Sequence, residues 1–339
     1  MLLIAVIALG DISHGLEKTQ YVGLLASVPF LAATFAPPRG VLLLGALAWT
    51  AGLGMGLVHE DGRGTPQAVR LACIAVAVAM ACVAARSRGV RERRLVAVES
   101  AADAASRAIL RPLPPVVGGV PLQVDYVSAS QQSRVGGDLY EAVATPWGLR
   151  LVVGDVRGKG LEAVRLAAVV LGSFREAAHR EPDLACVAAA LHASVARDAD
   201  VEDFVTALLV ELPVTGPARM LACGHPGPLR LRGGRAEVLA LPAEQPLGLA
   251  APGPAVEVDL RPGDRVLLYT DGAVEARREG RFFDLEAAAG ASLAAGPLAE
   301  GLAGLTERLQ AFTAGSPADD VALLAFEVPA RTARVPAPR

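Results

Sequence analysis

The sequence predicts an α+β protein in which a layered α+β domain follows an α-helical transmembrane region. Apolar and nearly uncharged stretches are concentrated before residue 87. After Pro121, runs typical of strands follow one another, and patterns typical of amphipathic helices occur between them. Consecutive strands followed by helix pairs favour a layered α+β architecture over a doubly wound α/β sheet.

Residues 1–85 are predicted to form the transmembrane region. Its apolar stretches are Met1–Gly10, Tyr21–Ala36, Val41–Val58 and Ala68–Ala85. A helix needs about 20 residues to cross a bilayer, so the first stretch makes only a partial span, and we expect the other three to be full spans. Either the chain continues before Met1 or this first stretch lies shallowly in the membrane. A cleaved signal peptide is the alternative, but residues 1–10 lack a basic n-region and an Ala-x-Ala site.

Basic residues lie in alternate connections of these stretches, with acidic residues in the others. Arg39 is in a turn between two of them, and five arginines follow the last one, at Arg86, Arg88, Arg91, Arg93 and Arg94. Because positive charge favours the cytoplasmic side, the Arg39 turn and everything after Arg86 are predicted to be cytoplasmic. The sequence therefore predicts a multi-pass protein of the cell membrane, in contact with lipid, whose globular domain faces the cytoplasm.

Residues 86–115 are predicted to form a cytoplasmic linker with a signalling helix. Apolar residues recur at three- and four-residue steps, at Leu95, Val98, Ala102, Ala105 and Ile109. This stripe fits either a homodimer formed through residues 86–113 or packing of the helix on its own domain, and the sequence leaves both open. Prolines at 112, 114 and 115 end the helix, because proline cannot donate the helical hydrogen bond.

Residues 116–328 are predicted to form the globular domain, and the Pro-, Ala- and Arg-rich residues 329–339 a disordered tail. The expected strands are Leu122–Ser128, Gly148–Val153, Phe204–Leu212, Ala218–Cys223, Asp264–Thr270 and Val321–Val328. The expected amphipathic helices are Leu161–Ala178, Leu184–Ala196 and Leu298–Ala314.

Five acidic residues of this domain lie in short sequence motifs that are flanked by glycine or by strand-like runs: Asp138, Asp155, Asp271, Asp319 and Asp320. Each lies at the end of, or just beyond, an apolar run, where glycine lets the backbone turn. Any single aspartate beside a glycine is an ordinary turn former. Together, however, converging carboxylates without basic partners suit a hard divalent cation, Mg²⁺ or Mn²⁺.

Overall charge and cysteine placement exclude several other classes of function. The formal net charge is −3, and residues 138–320 contain no basic run, so nucleic acid is not an expected partner. The four cysteines are scattered without a C-x-x-C or Cys/His spacing, which argues against a zinc site.

Six short sequence motifs, taken in order along residues 107–328, resemble those of the SpoIIE-like branch of the PPM (type 2C) protein phosphatases. They are Val135–Tyr140, Gly154–Gly160, Ala222–Pro226, Pro246–Leu249, Leu268–Gly272 and Asp319–Leu324. A membrane-anchored arrangement is also similar to many bacterial members. The resemblance implies a four-layer α-β-β-α sandwich with two Mn²⁺ or Mg²⁺ ions at one edge. The implied ligands are Asp138, Asp155, the Val156 carbonyl, Asp271 and Asp319, with Asp320 ranked behind Asp319.

The resemblance also implies an activity, the hydrolysis of phosphoserine or phosphothreonine by metal-activated water, with Asp138, Asp155 and Asp271 as catalytic residues. The implied substrate is a phosphorylated regulatory protein such as an anti-sigma-factor antagonist. The phosphate-gripping arginine of many type 2C enzymes has no clear counterpart. Candidate substrate-binding residues are therefore Arg134, Arg157, Lys159 and His225.

Two of these candidates also have plainer interpretations. Lys159 stands where the branch often has His, and it either approaches an anion or faces solvent. A structural or substrate-edge role is favoured for His225, because a metal-bound hydroxide would already supply the nucleophile.

Two other functions remain as alternatives. A catalytically silent scaffold of the same fold would bind a partner without hydrolysis. A two-metal hydrolase of other phosphate esters would need a basic substrate groove, for which residues 138–320 offer no basic run.

Overall fold

The computed structural model describes residues 21–58, 65–127, 137–199, 203–314 and 319–330. The chain divides into two compact units, Met1–Ala97 and Val98–Arg339.

The described part of the first unit is helical. A 3₁₀ helix at Tyr21–Ala26 leads into α1 (Ser27–Ala33), α2 (Pro38–Val58) and the first part of α3 (Thr65–Ile109). Helices α2 and α3 approach closely at Gly45, where a Cβ atom would lie 2.5 Å from Cγ2 of Val78. A small residue at this position lets the two helices pack.

One described helical stretch, Gln67–Val98, is long and apolar enough to cross a membrane, and an 18-residue window within it has a mean hydropathy of 2.3. Leu24–Ala33 is apolar but shorter than a span requires. Within residues 21–36 the structure has a 3₁₀ helix and the short helix α1 in place of one long helix, and the expected multi-pass topology is not supported. The apolar stretch at residues 1–10 and the proposed tail at 331–339 lie outside the described residues.

Helix α3 ends at Ile109, immediately before the proline-rich segment. Along the apolar stripe of this helix, Leu95 and Val98 are 64% and 51% exposed. Ala105 and Ile109 instead pack on Val164 of the globular unit to which they belong. The end of the stripe therefore packs on its own domain, while its beginning stays exposed.

The second unit contains thirteen strands and five further helices within the described residues. The strands are β1 (Val116–Val117), β2 (Val120–Val127), β3 (Asp138–Thr145), β4 (Gly148–Val156), β5 (Val205–Pro213), β6 (Ala218–Cys223), β7 (Leu229–Arg232), β8 (Arg235–Val238), β9 (Val256–Val258), β10 (Arg265–Tyr269), β11 (Arg277–Arg278), β12 (Arg281–Phe282) and β13 (Val321–Glu327). The helices are α4 (Leu161–Arg180), α5 (Leu184–Asp198), α6 (Asp271–Glu275), α7 (Leu285–Leu293) and α8 (Leu298–Phe312).

These elements form two main sheets and a separate hairpin. One sheet has the order β1-β2-β13-β10-β7-β8, the other β3-β4-β5-β6-β9, and β11 pairs only with β12. A buried cluster including Leu151, Leu208 and Phe326 lies between the two sheets. The outer face of the five-stranded sheet packs against α4 and α5. The outer face of the six-stranded sheet packs against α7 and α8.

The layers are therefore helix pair, sheet, sheet and helix pair, which is the layered α+β architecture that the sequence predicts. All six predicted strands and all three predicted helices are present, with ends shifted by up to three residues. The elements that the sequence pattern did not predict are β3, the short strands β1, β7, β8, β9, β11 and β12, and helices α6 and α7.

Candidate metal centre

Asp138 and Asp155 lie opposite each other on two antiparallel strands. Asp138 is the first residue of β3 and pairs in register with Asp155 near the end of β4. Directly opposed residues carry their side chains on one face of the sheet, with Cβ atoms about 5 Å apart. Strand pairing thus brings the two carboxylates together, and Asp138 is only 4% exposed. The prediction that Asp138 ends a strand-like run is wrong, because β3 begins with it.

Gly137 lets the chain approach Asp155 and Val156 closely. A Cβ atom at position 137 would lie 2.2 Å from the carbonyl oxygen of Val156 and 2.7 Å from Oδ1 of Asp155. The Val156 amide donates to the Gly137 carbonyl at 3.1 Å. Only glycine fits here without displacing backbone, so this residue keeps the Val156 carbonyl beside the carboxylate pair.

Asp271, Asp319 and Asp320 come from the other sheet. Strands β10 and β13 pair antiparallel, so the end of β10 lies beside the start of β13. Asp271 follows β10, and the other two acids precede β13. A Cβ atom at Gly272 would lie 2.1 Å from the carbonyl oxygen of Asp320, which shows how tightly the two segments are packed.

Thr270 ties the two sheets together at this edge, a role that the sequence analysis missed. Its side chain is fully buried. Its Oγ1 donates to Oδ2 of Asp138 at 2.8 Å and accepts from the Ala322 amide at 2.9 Å. Thr270 directly precedes Asp271 in one of the acidic motifs, but nothing in the sequence indicates a hydrogen bond to a residue 132 positions away.

Tyr126 is a second residue that the sequence analysis missed. Its hydroxyl donates to Oδ2 of Asp320 at 3.1 Å. Burial and the nearby charges of Asp138 and Asp320 raise the pKa of the Tyr126 hydroxyl, which keeps it protonated as a donor.

The carboxylates of this edge destabilise one another as anions. Burial, followed by the charge of Asp155, raises the pKa of Asp138 well above its ordinary value, although the Thr270 hydrogen bond opposes this shift. Burial, followed by the charges of Asp271 and Asp319, raises the pKa of Asp155 to about 7. Burial, followed by the charge of Glu275, raises the pKa of Asp271. The cluster therefore favours any cation that can enter it.

Lys159 supplies one positive charge. Its Nζ lies 2.9 Å from Oδ1 of Asp319, and the two side chains are 64% and 49% exposed. The hydrogen bond to Asp319 raises the pKa of Lys159. The expectation that the carboxylates have no basic partner is therefore wrong for Asp319, and Lys159 both faces solvent and contacts an anion.

The donor set fits Mg²⁺ or Mn²⁺ by type and charge, since it offers carboxylate oxygens and one carbonyl oxygen. Within the described ranges, no three His, Cys, Asp or Glu side chains are arranged as a ready ligand set for one ion. The contacts of individual acids explain this arrangement. Asp138 accepts from Thr270, Asp320 accepts from Tyr126, and Asp319 pairs with Lys159.

His225 lies beneath the acidic edge and is 7% exposed. Its Nδ1 lies 3.0 Å from Oγ1 of Thr206, and its Nε2 lies 3.0 Å from the carbonyl oxygen of Tyr269. Burial lowers the pKa of His225 to about 4, so the ring is neutral at pH 7. Both ring nitrogens are engaged within the protein, which argues against the substrate contact considered for His225 and fits a structural role.

Of the two arginine candidates, Arg157 lies among the described residues. Arg157 is exposed, and its guanidinium lies over the Phe204 ring, 5.3 Å from the centroid. It follows Val156 directly, so it stands at the rim of the acidic edge. Arg134 lies outside the described residues.

A family model described as Stage II sporulation protein E (SpoIIE) matches residues 145–329. This range contains Asp155, Asp271, Asp319 and Asp320, and it begins after Asp138.

Solved structures support the same relationship. The RsbU and RsbW domains of Rv1364c from Mycobacterium tuberculosis are 25% identical, with a TM-score of 0.58, over 67% of this chain and 64% of that chain. This chain thus spans less than two thirds of that protein. The SiaA-PP2C domain of Pseudomonas aeruginosa is 18% identical with a TM-score of 0.59, over 70% of this chain and 98% of that one.

The PP2C phosphatase domain and regulatory-domain fragment of SpoIIE from Bacillus subtilis is 15% identical with a TM-score of 0.52, over 62% and 63% of the two chains. At 18% and 15% identity, the Pseudomonas and Bacillus structures establish likeness of fold. The family model covers more than half of the 339 residues. The chain therefore belongs to the Stage II sporulation protein E (SpoIIE) family and is a homologue of the PP2C/PPM serine/threonine phosphatases.

Proposed function

We propose that this chain is a metal-dependent phosphatase that hydrolyses phosphoserine or phosphothreonine in a regulatory protein. The observation that carries the proposal is the directly opposed pair Asp138 and Asp155, held with Asp271 at one edge of the two sheets. Carboxylates whose pKa values are raised by burial and by one another are typical of functional sites.

We assign the metal-binding role to Asp138, Asp155, the Val156 carbonyl, Asp271 and Asp319, with Asp320 as a weaker candidate. Two bound Mn²⁺ or Mg²⁺ ions would lower the pKa of a bound water and offset the charge of the phosphate. The chain's own contribution is orientation. Thr270 fixes one oxygen of Asp138, and the register of β3 on β4 sets Asp155 opposite it.

The exposed cations at the rim, Arg157 and Lys159, are our candidates for contact with the substrate phosphate. The Phe204 ring supports the guanidinium of Arg157 from one side. Lys159 would have to leave Asp319 in order to bind a phosphate, and an exposed ion pair of this kind costs little to break.

We propose a phosphorylated anti-sigma-factor antagonist or a similar small regulator as the substrate, on the strength of the family resemblance. We further propose that the apolar helix Gln67–Val98 anchors the chain in the cell membrane with the phosphatase unit in the cytoplasm. The exposed residues Leu95 and Val98 are available for the homodimer suggested for residues 86–113.

The test is hydrolysis of a phosphoserine peptide by the full chain in detergent, with Mn²⁺ and with chelator. We expect Mn²⁺-dependent release of phosphate and a loss of about 100-fold or more in Asp155→Asn. Asp183→Asn is the matched control. Asp183 caps α5 by accepting from the Ala185 amide, and asparagine caps equally well.

Other outcomes distinguish the alternatives. Tight Mn²⁺ binding by calorimetry without hydrolysis of any phosphate ester would favour the silent scaffold. Inhibition of the peptide reaction by an oligonucleotide would favour a hydrolase of other phosphate esters. Equal activity in Asp155→Asn and the wild type would contradict the assigned site.

A further inference from the structure

The hairpin formed by β11 and β12 stands apart from both sheets. Arg278 pairs with Arg281, and Arg277 pairs with Phe282. The turn between the strands is Glu279–Gly280, and both residues have positive φ, 52° and 79°. Two consecutive residues with positive φ are typical of a type I′ turn, which matches the twist of a two-stranded hairpin. The hairpin is thus a short, well-defined unit whose side chains are exposed.

The pairing places two positive charges directly opposite each other. Arg278 and Arg281 are cross-strand partners, so their side chains lie on the same face of the hairpin. Like charges in this position destabilise a hairpin. In the part of the chain that the structure describes, none of Arg277, Arg278 and Arg281 has an ion-pair partner.

A second hairpin in the same chain shows how such a pair is normally compensated. Arg232 and Arg235 face each other across the glycine turn between β7 and β8. There, Arg232 donates to both carboxylate oxygens of Asp264, at 2.9 and 2.6 Å, and to Asp259 at 3.1 Å. Among the described residues, the same arginine pair in the β11–β12 hairpin makes no such ion pair, which leaves its guanidinium groups available to an anion from outside.

The hairpin is tied to the candidate metal centre. Helix α6 begins at Asp271 and ends at Glu275, and its five residues rise about 7.5 Å. The base of the hairpin is anchored where the Phe283 amide donates to the carbonyl of the buried Ala276 at 2.8 Å. Arg277 follows Asp271 by six residues, so the two are separated by at most about 20 Å, a distance that a bound peptide can span.

We propose that Arg277, Arg278 and Arg281 form a docking surface for acidic residues next to the phosphorylated residue of a protein substrate. This inference rests on the proposed function. Paired guanidinium groups bind carboxylates through charge-assisted hydrogen bonds. Phe282, which is 64% exposed and pairs with Arg277 across the hairpin, adds apolar contact area. The surface also offsets the repulsion between an acidic substrate and the five aspartates of the site.

The experiment compares two phosphoserine peptides of equal length, one flanked by Asp and Glu and the other by Asn and Gln. The full chain is assayed with Mn²⁺ as the wild type, as Arg278→Gln/Arg281→Gln, and as the control Arg235→Gln from the compensated hairpin. We expect the double variant to lose about tenfold in kcat/KM on the acidic peptide, mostly through KM. The neutral peptide and para-nitrophenyl phosphate should be unaffected, and so should the control variant.

Two further readouts support the interpretation. The preference of the wild type for the acidic peptide should shrink at high salt, because exposed charges are screened. The double variant should be at least as stable as the wild type to denaturant, because the opposed charges have been removed.

Equal hydrolysis of both peptides by the wild type, or an acidic preference that survives in the double variant, would overturn the proposal. If the double variant instead lost binding to phosphatidylserine vesicles and kept its peptide preference, the surface would be a lipid site and the proposal would be wrong. If the wild type hydrolysed none of the three substrates, the proposed function would fail. Fluorescence anisotropy of the labelled acidic peptide would then test the docking surface separately. Loss of peptide binding in the double variant would support it.

Discussion

Strand β4 carries a fully buried charge near its start and a half-buried charge near its end, and the protein balances only the first of them. At its start, Arg150 is fully buried and pairs in register with Glu211 of β5, with Nε 2.7 Å from Oε2. Near its end, Asp155 is paired in register with another acid, Asp138. One end thus neutralises its charge within the protein, and the other leaves negative charge for an external cation.

The compensated end fastens the outer helices to the sheet. Arg150 donates to the carbonyl oxygens of Ala178 at 2.8 Å and Pro182 at 2.9 Å, where α4 ends and α5 is about to begin. The comparison teaches that burial of a charge does not by itself mark a functional site. What separates the two ends is whether the protein supplies the counter-charge.

Breaking the compensated end should have the largest effect. We expect Arg150→Met to lower the free energy of unfolding by about 3–5 kcal/mol, because Glu211 is left buried without its main partner. Arg219→Met is the control, since Arg219 is 37% exposed and lies 3.5 Å from the same Glu211. Its loss should be below about 1 kcal/mol. Denaturant unfolding of the full chain measures both, and equal losses would contradict the distinction.

Removing a charge from the uncompensated end should have the opposite sign. We expect Asp155→Asn to stabilise the metal-free chain by roughly 1–3 kcal/mol at pH 8, because it relieves repulsion among buried carboxylates. The same variant should lose the stabilisation that Mn²⁺ gives to the wild type. Denaturant unfolding with and without Mn²⁺ measures both effects. A metal-free variant that is less stable than the wild type would show that Asp155 is structural.

The pH dependence follows from the same charge. The folded-state pKa of Asp155 is about 7, above its ordinary value of 3.8, so the folded chain binds this proton more tightly than the unfolded chain. This contribution to stability is fully present below about pH 4 and is lost as the pH rises through 7. The advantage of Asp155→Asn over the metal-free wild type should therefore be small at pH 4, grow as the pH rises to 7 and level off above it. An advantage that is constant over this range would contradict the assignment.

The hydrogen bond of Thr270 should matter less. We expect Thr270→Val to cost about 1–2 kcal/mol, because it removes a donor to Asp138 and an acceptor for the Ala322 amide. Thr306→Val is the control, since Thr306 donates to Asp125 at 2.7 Å, away from the acidic edge. Both variants should be destabilised, but only Thr270→Val should weaken Mn²⁺ binding, measured by calorimetry. Equal Mn²⁺ affinities would refute a positioning role for Thr270.

The exposed ion pair should matter least for stability. We expect Lys159→Gln to change the free energy of unfolding by less than about 0.5 kcal/mol. Its Mn²⁺ affinity should rise severalfold, because the ammonium group competes with a cation for Asp319. Arg165→Gln, at another exposed ion pair, is the control for calorimetry. Unchanged or weaker Mn²⁺ binding in Lys159→Gln would be the contrary result.

Elements with a strong apolar pattern could be predicted from the sequence. Strand β4 and helix α4 were placed within three residues of their ends. Helix α7 was missed because LEAAAGASL has no amphipathic pattern, although Asp284, which accepts from the Ala287 amide, is a helix-start signal that the sequence does carry. Strands of three or four residues, such as β7 and β9, are too short for periodicity to reveal.

The acids of the candidate site could be predicted because each lies in a recognisable sequence motif. Their supports could not, because Tyr126 and Thr270 contact residues 194 and 132 positions away, and only the folded chain brings such residues together. Lys159 could be seen in the sequence, but its partner Asp319 could not, for the same reason.

The two-residue turn between β3 and β4 governs the acidic edge from the far end of the hairpin. Thr145 pairs with Gly148, and Thr145 Oγ1 accepts from the Trp147 amide at 3.1 Å and donates to the Gly148 carbonyl at 2.8 Å. Because neighbouring residues of a strand point to opposite faces, a slip of one residue would turn Asp138 away from Asp155. One inserted residue beside Trp147 could therefore dismantle the site while every carboxylate stays in the sequence, so the spacing of this distant turn is as much a part of the site as the acids themselves.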